Sequence, residues 1–180
     1  MKFSRKAPVP LDEDALYNYA VKLLGQQMRT VAELKRLLRR RVAPGEEGRL
    51  DSVVARLKEH RYLDDTGYAH DYAKLRQENS SFGRRRVQQD LMRKGVHSEV
   101  IEKTLDAAYE GVGEEELARR HLERKRIRKP ANDKEAARVA RMLMRAGFST
   151  GTIVRILKKW HVGDDALLAI ETAEEHETES

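Results

Sequence analysis

The chain has 180 residues, 37% of them charged and 39% hydrophobic, with a formal charge of +6 at pH 7 and no cysteine. Disulfides and thiolate sites are excluded, and a reducing, intracellular setting is the simplest reading. The opening Met-Lys-Phe-Ser-Arg-Lys lacks the apolar stretch of a secretory signal, and no run approaches the ~20 apolar residues of a membrane span, so a soluble cytoplasmic protein without membrane contact is expected.

Helical periodicity dominates, and no alternating strand pattern is convincing. A first helix is predicted near Leu11–Leu24, with Leu16, Ala20, Leu23 and Leu24 on one side. Thr30-x-x-Glu33 is a capping box that opens a second, where Leu34, Leu37 and Leu38 face inward. Ala43-Pro44-Gly45 breaks the chain before a third, which runs to about Tyr62 on Leu50, Val53, Val54 and Leu57. Asp64 or Asp65 caps a fourth, carrying Tyr68, Ala69, Tyr72 and Leu75. Gly83 precedes a fifth, which stops at Gly95 as a left-handed cap, and Ser98 starts a sixth. A seventh spans roughly Glu114–Ile127 and is ended by Pro130. Asp133 caps an eighth, which stops at Gly147, and a ninth runs near Thr150–Trp160 on Ile153, Ile156, Leu157 and Trp160.

A repeat organises these helices. Arg86–Leu105 recurs without a gap 52 residues later as Arg138–Leu157, with eight identical positions that include Leu91/Leu143 and Gly95/Gly147. Nine helices thus fall into three groups of three, expected at 11–62, 63–110 and 111–163, after an N-terminal extension (1–10). The first group shares only the pattern (Leu37, Val42, Val54, Leu57), with an insertion at 44–48. Each group is too poor in apolar residues to hold a rich core alone, so the expected fold is all-α: three tandem three-helix repeats stacked into an elongated, curved array. An acidic tail (164–180) follows, with seven acids and no Lys or Arg; subtracting it from the chain's +6 leaves residues 1–163 at +13. A body that basic attracts polyanions or an acidic protein face. The tail itself reads as a solubilising end or as a shield against off-target nucleic acid.

The cations have a pattern. With Val87 and Leu91 inward on the fifth helix, Arg85, Arg86, Gln89 and Arg93 fall on the opposite face. The eighth repeats this with Val139 and Leu143 inward and Arg138, Arg141 and Arg145 outward. The second offers Lys35, Arg36, Arg39, Arg40 and Arg41. Arginine suits phosphate or carboxylate because its guanidinium fork binds two oxygens at once. A second cluster, Arg119, Arg120, Arg124, Lys125, Arg126, Arg128 and Lys129, divides between binding and completion of a helix dipole. The helix–Gly–helix joints resemble a helix-turn-helix. Glu99, Glu102 and Asp106 argue against the sixth helix as a DNA reader, whereas the ninth, with Thr150, Thr152, Arg155, Lys158 and Lys159, stays open for that role.

Catalytic signatures are missing. No phosphate-binding loop, nucleophile elbow or H-E-x-x-H pattern occurs, and the six histidines are scattered without metal-ligand spacing. Tyr62, Tyr68, Tyr72, Phe82 and Tyr109 read as core side chains rather than base-stacking platforms. A non-enzymatic binding protein without cofactor or metal is expected.

Tyr62-Leu63-Asp64-Asp65, Tyr68, Gly83, then Leu91 with Lys94-Gly95-Val96 resembles the signature of the RecX family. The match is close over Tyr62–Val96 and looser over Leu11–Val162; an arginine stands after Gly83 where the family often has proline. The resemblance implies three tandem three-helix repeats, with the signature residues in structural roles. It also implies a regulator of the RecA recombinase that lies along the RecA–DNA filament, restrains ATP hydrolysis, filament extension and strand exchange, and so acts in recombination, DNA repair and the SOS response. The expected partners are that filament and, more weakly and salt-dependently, single- and double-stranded DNA, with the protein a monomer. The alternative is a regulator acting on DNA directly, through the ninth helix or Arg84–Arg86.

Overall fold

The computed structural model describes residues 9–178, with side-chain surroundings through Thr172; the rest of the expected N-terminal extension and the end of the tail lie outside the described residues. Every element among them is helical: α1 (Glu13–Gln26), α2 (Val31–Leu38) with a 3-10 turn at Arg39–Arg41, α3 (Gly48–Glu59), α4 (Asp65–Ser80), α5 (Arg84–Arg93), α6 (Ser98–Tyr109), α7 (Glu114–Arg124), α8 (Asp133–Arg145), α9 (Thr150–Lys159) and α10 (Asp164–Thr178). The tenth was not expected. Residues 164–178 are a helix that seats Leu167 and Ile170, 3% and 6% exposed, in the core around α8 and α9.

Short polar side chains start these helices by accepting from otherwise orphaned N–H groups. Asp12 accepts from the Ala15 amide at 2.8 Å. Thr30 and Glu33 form the expected box, reciprocally, at 3.1 and 3.3 Å. Of the two candidates for α4, Asp64 is the cap, accepting from the Thr66 amide at 2.9 Å. Asp65 instead accepts from the Val31 amide at the start of α2, at 2.9 Å, and burial pushes its carboxyl up from the ordinary range. Asn132 rather than Asp133 caps α8: the extended cap backbone falls at Asn132, whose side chain accepts from the Glu135 amide at 3.0 Å. Asp133 and Glu135 then sit in the first turn, where their charge complements the helix dipole.

Five helices stop the same way. After α3, α5, α7, α8 and α9, residues Arg61, Gly95, Arg126, Gly147 and His161 take positive φ, and the next amide reaches back to the carbonyl five residues before it. At α7 this closure comes at Arg126, so the helix ends at Arg124 and not near Ile127; Pro130 lies beyond an irregular segment. Two of the five stops need glycine for a second reason. A Cβ at Gly95 would lie 2.4 Å from the Ala32 Cβ, and one at Gly147 would lie 2.2 Å from the Arg86 backbone nitrogen.

The described residues divide into two compact units, one running up to Ala69 with Leu91–Ile101 added and one of His70–Asp90 with the residues from Glu102 onward. Residues of the expected middle group, 63–110, therefore contribute to both. The first unit packs α1, α2 and α3 around Leu16, Leu34, Leu38, Val53 and Leu57. The second is built around Leu117, Leu143, Phe148, Ile153 and Leu157. Leu143 is 0% exposed, so Leu143→Ala should cost about 2–5 kcal/mol. A guanidinium melt would register this as a lower midpoint at unchanged slope.

Tyr68 is buried, whereas Tyr62 and Leu75 are 52% and 53% exposed and do not belong to the core. Tyr62 follows the left-handed stop at Arg61, which turns its side chain outward while Leu63 goes in.

Candidate partner-binding groove

In the second unit, basic residues of two consecutive segments share one groove. On α8 the inward residues Val139 and Leu143 leave Arg138 and Arg145 exposed, seven residues and so about 10 Å apart along the axis. The segment after α7 forms the facing wall. Its stop at Arg126 turns Ile127 inward and leaves Arg128 and Lys129 exposed ahead of the buried Pro130. Together Arg128, Lys129, Arg138 and Arg145 line a groove of about 420 Å³. Its apolar lining is Ile127, Pro130, Val139 and Met142. Glu135 is the one acid in the lining, and its carboxylate already accepts from the Ala131 amide at 2.8 Å. Four cations against one engaged carboxylate give the groove a positive potential. Arg145 also ends α8, where a cation complements the dipole, so part of its cost of placement is met locally.

The other basic residues are dispersed. Arg141 is exposed on a different side of α8, along a cleft with Ala166, Ala169 and Ile170 of α10. Arg124 donates to the Asn79 carbonyl at 2.7 Å, while Lys125 and Arg126 are exposed at the helix end. On α5, Arg85, Gln89 and Arg93 are exposed, but Arg86 is half-buried, paired with Asp90 at 3.2 Å and stacked over the Phe82 ring at 5.5 Å. Arg86 thus has a structural task that its repeat counterpart Arg138 lacks. Arg84 pairs with Asp106. In the first unit, Arg36, Arg39 and Arg40 are exposed on α2 and the turn after it.

The face of α9 is less available than its sequence suggests. Thr150 and Thr152 are 8% and 0% exposed. Thr152 and Ser149 donate their hydroxyls to Glu114, each at 2.5 Å, and the Ser149 amide adds a third bond at 2.8 Å. Burial pushes the Glu114 carboxyl up, but these bonds outweigh it and hold the group below its usual range. Lys159 and Arg155 both lie against Glu115.

Most of the signature residues lie in the first unit, and Gly83 lies in the second. Leu63, Leu91 and Val96 are buried. The Lys94 ammonium pairs with Glu33 at 2.9 Å and sits over the Tyr68 ring, while its carbonyl accepts from the Thr30 hydroxyl at 2.6 Å. Gly83 is buried, and its amide donates to the Ala146 carbonyl at 2.8 Å.

His121 escaped the sequence reading, which saw only scattered histidines. It is 3% exposed, its Nδ1–H donates to the Ser80 carbonyl at 2.8 Å, and the Phe82 and Phe148 rings lie 5.9 and 6.0 Å away. Its place in the apolar register of α7, beside Leu117, Ala118 and Leu122, was the available signal. Burial holds its pKa below the ordinary 6.5. The unfolded chain therefore takes up a proton first as pH falls below about 6.5, and stability drops with it. Glu114, lowered in the fold, adds a further loss as pH falls below about 4.5. Thermal melts from pH 7.5 to 5 should slope downward, and His121→Gln should flatten that window; an unchanged slope in the variant would assign the titration elsewhere.

Among the described residues, no His/Asp/Glu cluster could hold a metal and no helix is long and apolar enough to cross a membrane. The described residues are three-helix units with a cation-lined groove in the second unit. Family models described as "RecX, second three-helix domain" and "RecX, third three-helix domain" match residues 64–105 and 113–157. "Regulatory protein RecX" of Mycolicibacterium smegmatis is 34% identical over 142 residues, covering 76% of this chain and 74% of that one. The protein of the same name from Trichlorobacter lovleyi is 32% identical over 146 residues, covering 79% and 94%. A crystal structure of RecX from Lactobacillus salivarius shares the fold, with TM-score 0.62 at 21% identity over 83% of this chain and 96% of that one. The chain belongs to the RecX family, a family of regulatory proteins and not of enzymes.

Proposed function

We propose that this protein binds the RecA–DNA filament and restrains it, lowering ATP hydrolysis, filament extension and strand exchange in recombination and repair. The observation that carries the proposal is the convergence of Arg128, Lys129, Arg138 and Arg145 on one groove in a chain of a regulatory family. Arg36, Arg39 and Arg40, with Arg85, Arg93 and Arg141, extend the set of exposed cations available to a filament that carries DNA and acidic protein surface, and Gln89 adds a neutral polar group on α5. Arg86 belongs to the same helix but acts mainly through its neighbours. The protein acts in the cytoplasm as a monomer.

Direct action on DNA is the competing reading. The burial of Thr150 and Thr152 and the pairing of Lys159 with Glu115 weigh against α9 as its reader. RecA ATPase on single-stranded DNA, titrated with this protein beside binding to the same DNA alone, separates the two. Inhibition well below the concentration that binds naked DNA supports filament-directed regulation. Inhibition only when the DNA is saturated points to competition for DNA, with a log–log salt slope of about −0.7 per phosphate contacted. An unchanged ATPase at saturating protein removes the proposal.

A further inference from the structure

The groove has more than charge. Phosphates alone would need only the rim, yet Ile127, Pro130, Val139 and Met142 give it an apolar lining between the two cationic walls. No aromatic ring is among the lining residues, so it offers nothing on which a base would stack. Methionine in such a position adapts to differently shaped apolar partners. Arg138 and Arg145 are spaced about 10 Å apart along α8, which matches acids seven residues apart on one face of a helical segment. An apolar residue between those acids would then lie over Met142. We propose that this groove is a docking slot for an acidic, amphipathic peptide segment of a protein partner. Its carboxylates are held by Arg138, Arg145, Arg128 and Lys129, and an apolar side chain enters between them. This deepens the preceding reading, in which the partner is a protein filament, by stating the chemistry of the segment that is gripped.

The test needs no filament, so its failure is distinguishable from failure of RecA regulation. Anisotropy would be measured for the full chain with three labelled probes: a Glu-rich peptide with one central Leu, the same peptide with Ser in that place, and a single-stranded oligonucleotide of equal charge. The Leu peptide should bind about tenfold tighter than the Ser peptide, as burial of one aliphatic side chain predicts. Met142→Gln should abolish that preference while leaving the Ser peptide unchanged, and Arg138→Ala with Arg145→Ala should weaken both peptides, with thermal melts confirming the fold of each variant. Equal affinity for the two peptides on the wild-type chain would overturn the proposal, because the groove would then read charge alone. Tighter binding of the oligonucleotide, lost in the arginine variant, would overturn it in favour of a nucleic-acid site.

Discussion

Gly147→Ala should destabilise the protein by about 2–5 kcal/mol, combining left-handed strain with an unrelieved clash. Gly147 has φ +89, and the added methyl would stand 2.2 Å from the Arg86 nitrogen and 2.9 Å from its Cα. These are backbone atoms at the start of α5, so no rotamer change relieves the contact. Gly83→Ala tests the same approach from the other side without the strain. Its Cβ would meet the Gly147 carbonyl oxygen at 2.3 Å and carbon at 2.5 Å, and separation would break the bond from its amide to Ala146. It should cost about 1–3 kcal/mol. Gly111→Ala is the control: φ is +68 but nothing lies within 4 Å, so it should lose only the strain, about 1–2 kcal/mol. If denaturant melts placed Gly83→Ala level with the wild type, the close approach would be wrong.

The second large effect is functional. Arg138→Glu with Arg145→Glu should raise the concentration needed to inhibit RecA ATPase at least about 100-fold, since charge-assisted hydrogen bonds contribute roughly 1.5–3 kcal/mol each. Both side chains are exposed, so the melting temperature should fall only slightly, through loss of the Arg145 cation that complements the α8 dipole. The triple variant of Arg85, Arg86 and Arg93 to Ala is a less clean probe. Removing Arg86 also removes an ion pair with Asp90 and a cation–ring contact with Phe82, which together stabilise by about 1 kcal/mol. Arg85→Ala with Arg93→Ala, leaving Arg86, is the better comparison. Unaltered inhibition by the Glu variant would remove the groove from the interface while leaving family membership intact.

Much of the fold is written locally. Periodicity placed nine helices within a few residues of where they stand, and the recurring Gly95 and Gly147 marked two helix stops. Charge misled at the end of the chain, where the acids of 164–178 drew attention from Leu167 and Ile170, whose three-residue spacing is helical. Other departures have one cause in common. Arg61, Arg126 and His161 are left-handed without being glycine, and such stops leave no compositional trace. The stop at Arg126 decides where Arg128 and Lys129 go. The groove therefore could not be read from its residues, although each of its four cations could be named. His121 and Glu114 acquire their roles through partners such as Ser80 and Ser149, at least 35 residues away in sequence.

The contact at Gly83 and Gly147 also bears on how the chain comes apart. The amide of Gly83, the Ser80 carbonyl and the Asn79 carbonyl all find their partners beyond residue 110, at Ala146, His121 and Arg124. A fragment severed there would leave the buried Gly83 amide and the part-buried Ser80 carbonyl unmatched on one side and a buried histidine on the other. The stretches matched as the second and third domains are units of sequence kinship, and these shared bonds predict that they do not unfold independently. Amide protons on the two sides of the junction should accordingly exchange with solvent through one shared opening event.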